Sequence, residues 1–149
     1  IEDTTALYRQ IHPSFIHDGR ATSQAFKPMP KDEGKLSVYC GSIISAQDSW
    51  LHYTEQQKLA SGGVLSVLAG ECRSYGVPPT LDADPYPSHA SIDFTAHNAN
   101  QIEKISKHLR NIAMAKDGSL GLLASLSVYK VTTLGGWHRL AYSPTGGVA

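Results

Sequence analysis

The chain has 149 residues, with 13 Lys and Arg against 13 Asp and Glu, two cysteines and 8% aromatic residues. That length predicts one domain, able to bury about two-thirds of its unfolded surface without metal or disulfide staples. Zero formal charge excludes the broad electrostatic field on which non-specific binding to nucleic acid or to an anionic membrane depends.

Cys40 and Cys72 are too few and too far apart to form a disulfide framework, and neither belongs to a C-x-x-C pair. A reducing cytoplasm is therefore expected. The longest apolar stretches, near residues 64–69 and 120–126, fall well short of the roughly 20 residues that span a bilayer. Those short stretches predict a soluble protein; no charged n-region and apolar h-region opens the numbered chain, so no signal peptide is visible in it, and one already removed would leave no trace.

In chain order, residues 6–12 (ALYRQIH) alternate as a first strand that Pro13 ends. The stretch HPSFIHDGR is a loop, residues 22–26 suggest a short strand, and Pro28, Pro30 and Gly34 mark an exposed turn over residues 27–35. LSVYC at residues 36–40 predicts a strand. Ser45 with Asp48 three positions on has the form of a helix N-cap, and a helix over residues 46–60 follows, with Trp50, Tyr53 and Ala60 along one flank and Gly62–Gly63 as its stop.

Residues 63–69 read as a buried strand entering a short helix at 70–75, which Gly76 and the Pro78–Pro79 pair end. LDADPYPSH is a loop by composition, and HASIDF at residues 89–94 alternates as a strand. Ile102, Ile105, Leu109 and Ile112 recur at three- and four-residue spacings, predicting a helix over residues 99–115 capped by Asn98. A turn at 116–118, a strand at 125–134 and fraying after Tyr142 complete the reading, with a single globular domain over residues 1–142 and a flexible tail at 143–149. Segments between strands are not uniformly helical, which predicts an α+β fold: a single compact domain whose mixed or antiparallel sheet is packed by two main helices.

Chemistry concentrates at His12, His17, Asp18 and Arg20. Histidine transfers protons near neutral pH, a carboxylate can orient it, and an arginine fork holds a phosphate or carboxylate at two points. The plainer reading gives His12 a strand end, Asp18-Gly19 a turn and Arg20 an ion pair. His12, His17, Asp18, His89 and Asp93 are potential metal ligands by type, yet their spacing matches no zinc or calcium pattern, so neither a metal nor a cofactor is expected. His52, His97 and His108 are read as exposed polar positions on helices or caps. Cys72 sits near a helix start, where packing accounts for a small residue. No G-x-S-x-G elbow, Walker loop or G-x-G-x-x-G turn occurs.

The stretches LYRQIHP (residues 7–13), GRATSQAFKP (19–28), LSV (36–38) and HASI (89–92) resemble a group of small uncharacterised bacterial proteins. The resemblance covers the first two-thirds of the chain and implies a bacterial source and one compact domain, with no activity to transfer. Its polar members here are Arg9, His12, Arg20, Ser23 and His89, and they line one cleft if the strands bearing Arg9 and His89 adjoin.

Two functional expectations follow. Neutral charge, small size and missing catalytic motifs favour an accessory or interaction protein, immunity-like or defence-associated, with a partner encoded nearby and the proline-rich loop at 27–35 as a contact. The alternative is a metal-independent transferase or nuclease on a phosphate-bearing substrate, ADP-ribosyltransferase-like in one version. Arg9 and Arg20 would bind phosphate there, and His12 with His17 or His89 would supply acid and base, provided that His12, Arg20 and His89 share one concavity. Nucleic-acid binding is disfavoured, because the Lys104, Lys107 and Arg110 stripe fits a solvated helix face offset by Glu103.

Overall fold

Alternation along the strands sets up two unlike faces, and the architecture follows from covering each with a different partner. The computed structural model describes residues 1–116. Strands β1 (Ala6–Ile11), β4 (Lys35–Cys40), β5 (Gly63–Leu68), β6 (Pro79–Leu81) and β7 (His89–Asp93) form one sheet in the order β5-β1-β4-β7-β6, and every neighbouring pair is antiparallel. Helix α1 spans Ala46–Leu51, α2 spans Ala69–Ser74 and α3 spans Ala99–Lys116. The described residues form one compact α+β domain.

One face of the sheet is apolar. Leu7, Ile11, Leu36, Val38, Leu65, Val67, Ala90 and Ile92 pack with Ile105, Leu109, Ala113 and Met114 of α3 into one buried core. Residues 105, 109 and 113 lie four apart, on one helix flank. Asn98 caps α3 reciprocally: its Oδ1 accepts from the Gln101 amide and its own amide donates to Gln101 Oε1, both at 2.9 Å.

The segment expected as a strand at residues 22–26 is instead a 3-10 turn at Ser23–Phe26. Its carbonyls have no ladder to join because side chains take them: Ser106 Oγ donates to Phe26 O at 3.0 Å and Arg9 Nε to Ala25 O at 2.8 Å. Ala25 and Phe26 are thereby fixed in the core under α3. The loop at residues 12–20 contains a small hairpin, β2 (Ile16–His17) and β3 (Arg20–Ala21). Asp18 and Gly19 turn it with φ of 52° and 73°, the left-handed pair that suits a two-residue hairpin.

The first helix of the sequence reading is shorter than residues 46–60. After Leu51 it widens into a π-helical turn at His52–Gln56, and Lys58 leaves it at φ 59°. Ser45 caps its start, accepting from the Asp48 amide at 3.0 Å. A buried polar clamp ties this arm to β1. Gln10 Nε2 donates to Ser49 Oγ at 3.0 Å, and Ser61 Oγ donates to Gln10 Oε1 at 2.9 Å. Residues Pro79–Leu81, where the sequence reading ends the preceding helix at Pro79 and opens a loop at Leu81, pair with β7 as the edge strand β6. The expected strand at 125–134 and the tail at 143–149 lie outside the described residues, as does most of the turn at 116–118.

Candidate functional site

The second face of the sheet is polar, because the alternation that buries Leu36 and Val38 turns Ser37 and Tyr39 the other way. Tyr8 pairs with Tyr39, Tyr39 with His89, and Ser37 with Ser91, so these side chains share that face. The arm at residues 46–57 covers one side of it and the loop before β7 the other. Between them lies a cavity of about 560 Å³, whose lining includes Arg9, His12, Lys31, Ser37, Tyr53 and His89.

Arg9 sits where the sheet opens. The register of β1 with β4 runs through Leu7–Cys40 and Tyr8–Tyr39, whereas β1 stays paired with β5 from Ala6 to Ile11. The guanidinium fills the gap, donating from Nη1 to Ser37 O at 3.0 Å and from Nε to Ala25 O at 2.8 Å. Burial pulls its pKa down from the usual arginine value, against the opposing influence of Tyr53 and Asp32. Two of its five N–H groups are committed in this way.

His89 is buried, at 8% exposure, and both ring nitrogens are placed. Nδ1 lies 3.0 Å from Asp82 O and Nε2 lies 3.2 Å from Ser37 Oγ. A carbonyl only accepts, so Nδ1 carries the proton and Nε2 accepts from the serine hydroxyl. The Asp82 carboxylate stands 3.8 Å from Nδ1. His12, at the end of β1, accepts from the Ser14 amide through Nδ1 at 3.0 Å, which puts the proton of its neutral ring on Nε2.

Aromatic rings build the wall beside His89. Tyr39 stacks on Tyr86 with centroids 5.2 Å apart, His52 lies 4.5 Å from Tyr86, and Tyr86 meets His89 edge-on at 5.3 Å. Tyr39 Oη and His52 Nδ1 are 2.8 Å apart. Desolvation raises the Tyr39 and Tyr86 phenol pKa values, so both hydroxyls stay protonated near neutral pH. His52, expected as an exposed helix position, is instead half-buried against this wall.

Arg9, His12 and His89 therefore line one concavity, although their strands do not adjoin: β1 and β7 flank β4, and Arg9 and His89 meet it at the same residue, Ser37. Arg20 lies exposed on the β2–β3 hairpin and is not among the cavity's lining residues, nor is His17, so the expected shared concavity of His12, Arg20 and His89 is corrected: it holds His12 and His89 with Arg9, and Arg20 has no part in it. Sequence reading missed Ser37, Tyr39, Tyr53, Tyr86 and Asp82. The signal for Ser37 and Tyr39 was present in the alternation of LSVYC; the loop residues carried none. Among the described residues no group of three or more His, Cys, Asp and Glu side chains has the arrangement of a metal site, and no helix is long and apolar enough to cross a membrane. Comparisons with protein-family models, curated proteins and solved structures give no match.

Proposed function

We propose that the chain is a metal-independent transferase or nuclease acting on a phosphate-bearing substrate held in this cleft. The observation that carries the reading is the convergence of Arg9, His12 and His89 on one cavity of about 560 Å³, within the range of small-molecule sites. The uncommitted N–H groups of Arg9, together with Lys31 and the Nε2–H of His12, are the donors for phosphate oxygens. The half-buried rings of Tyr8, Tyr53 and Tyr86 suit a planar group on the same substrate. His89, which carries no proton on Nε2 and accepts there from Ser37, is the base. In the ADP-ribosyl-transfer version, Asp32 is the carboxylate on the cavity lining. Free, buried Cys40 and Cys72 support a cytoplasmic location.

A protein partner, encoded nearby, is the second reading. It is favoured by Met29 and Leu59, which are 41% and 47% exposed and belong to the cleft lining. Exposed apolar side chains beside an aromatic pocket make an anchor site of the kind protein partners fill.

Thermal unfolding in the presence of inorganic phosphate, AMP, ADP and NAD separates the two. The substrate reading expects saturable stabilisation by at least one of these, about 2.7 kcal/mol at a hundredfold excess over Kd, weakened in Lys31→Ala and His12→Ala. No stabilisation by any of them, with a protein from the native host bound through Met29 and Leu59, would establish the second reading instead.

A further inference from the structure

We infer that Ser37 is a nucleophile in this cleft, activated by His89, and that the reaction at this site passes through an O-phosphoryl-serine intermediate. The inference rests on the phosphate-bearing-substrate reading for its substrate class but on separate geometry for its chemistry. Three groups stand in series. Ser37 Oγ lies 3.2 Å from His89 Nε2, His89 Nδ1 lies 3.0 Å from Asp82 O, and the Asp82 carboxylate stands 3.8 Å behind the same nitrogen. Nucleophile, base and orienting group follow one another in the order that activates a weak hydroxyl.

The sheet makes this arrangement from cross-strand neighbours. β4 pairs with β7 so that Tyr39 opposes His89 and Ser37 opposes Ser91. The His89 ring therefore reaches diagonally to the serine two residues along β4, a distance long side chains span. Asp82 holds the ring from behind through its backbone carbonyl, which fixes the tautomer that leaves Nε2 free to take a proton. Tyr86 packs edge-on against the imidazole, and the ring is almost fully buried. Ser37, by contrast, is an exposed residue lining the cavity, so the hydroxyl is open to a substrate while its base is shielded. Arg9 is hydrogen-bonded to the carbonyl of the same serine and brings a positive charge to the place where negative charge would develop.

The step balances without metal or cofactor. The Oγ–H bond breaks as Oγ attacks phosphorus, and the proton passes to His89 Nε2. The P–O bond to the leaving group, in line with and opposite to Oγ, breaks with its electron pair on oxygen, and that oxygen takes a proton from solvent. Water, or an acceptor hydroxyl in a transfer reaction, then attacks the phosphoryl-serine from the vacated side and gives its proton to solvent, while Ser37 Oγ leaves with the proton held on His89 Nε2, which restores both residues.

The experiment uses the whole chain and a fluorophosphonate probe, whose phosphorus loses fluoride when serine attacks. The proposal predicts one adduct, mapped to Ser37 by peptide mass spectrometry, and a wild-type labelling rate that rises with pH as an imidazole deprotonates. His89→Gln should slow labelling at least a hundredfold, whereas Asp82→Asn, which keeps the backbone carbonyl, should slow it less. The wild-type pH profile answers the question even if the histidine variant fails to fold. No adduct at Ser37, or a rate indifferent to pH and to His89→Gln, overturns the assignment. Phosphate-ligand stabilisation without labelling leaves the substrate reading standing and the serine role refuted. Labelling that ADP and inorganic phosphate do not slow supports the nucleophile and refutes the substrate class.

Discussion

The clamp that holds the arm over the cleft makes a prediction of unequal costs. Gln10 is 5% exposed and its amide joins Ser49 of α1 to Ser61 before β5. In Gln10→Leu, of similar shape, both bonds go, yet each serine proton keeps an acceptor: Ser49 Oγ donates to Ala46 O at 2.7 Å and Ser61 Oγ to Gly63 O at 2.9 Å. No buried donor is stranded, so the cost is two net hydrogen bonds of about 0.5–1.5 kcal/mol each. Ser49→Ala removes one hydroxyl but leaves the Gln10 amide donor buried without that acceptor, which costs about 1–3 kcal/mol by itself. The double variant strands nothing at this contact and should be more stable than the sum of the singles implies, by about 1 kcal/mol. Urea unfolding followed by far-ultraviolet circular dichroism measures all three. Additivity within about 0.3 kcal/mol would mean that Gln10 and Ser49 do not interact, and the clamp would be refuted.

Two further outcomes follow from single sites. Burial pushes the Cys72 thiol up to about 12, so iodoacetamide at mildly alkaline pH should leave it unmodified in the native protein and alkylate it in urea; rapid native labelling would contradict the packing. Asp93 has its pKa held below the ordinary 3.8 by hydrogen bonds from the Thr95 hydroxyl and amide. Its contribution is therefore complete above the ordinary value and lost as pH falls through the lower folded value. The advantage of wild type over Asp93→Asn should shrink along that acid limb, and solvent screening keeps it below about 1 kcal/mol; an advantage that grew with acidification would contradict the hydrogen bonds.

What the sequence revealed divides along physical lines. Alternation in residues 6–12, 36–40 and 89–94 and the three- and four-residue spacing of Ile102, Ile105, Leu109 and Ile112 follow from burying one face, and local burial is what residue order encodes directly. Caps are equally local, so Ser45 and Asn98 were legible. The segment at residues 22–26 was not, because its shape answers to Ser106 and Arg9, far away in the chain, which take its carbonyls. The π-helical turn at His52–Gln56 belongs to the same class: the His52 ring meets Tyr39 across the sheet, a contact no spacing announces. Pro79–Leu81 becomes a strand because β7 offers an edge.

The candidate site shows the same division. Arg9, His12 and His89 stood out as residue types able to move protons or hold phosphate, and each lines the cavity. The residue at which Arg9 and His89 meet, Ser37, emerges only when β4 is placed between β1 and β7. Arg20 is near Arg9 and His12 in sequence, but the hairpin turn at Asp18-Gly19 carries it off to solvent. Asp82, part of the segment read as a loop by composition, approaches His89 because the loop ahead of β7 folds back over the strand it precedes.

The most direct test of the cleft as the working site is a titration of isotopically labelled protein with ADP, followed by two-dimensional NMR of backbone amides and the Arg9 Nε–H. The account predicts saturable shifts concentrated at Arg9, His12, Lys31, Ser37, Tyr53 and Tyr86, with Arg20 and the α3 face unmoved. Shifts confined to the Arg20 hairpin or to Lys104 and Lys107, with the cavity residues silent, would contradict it.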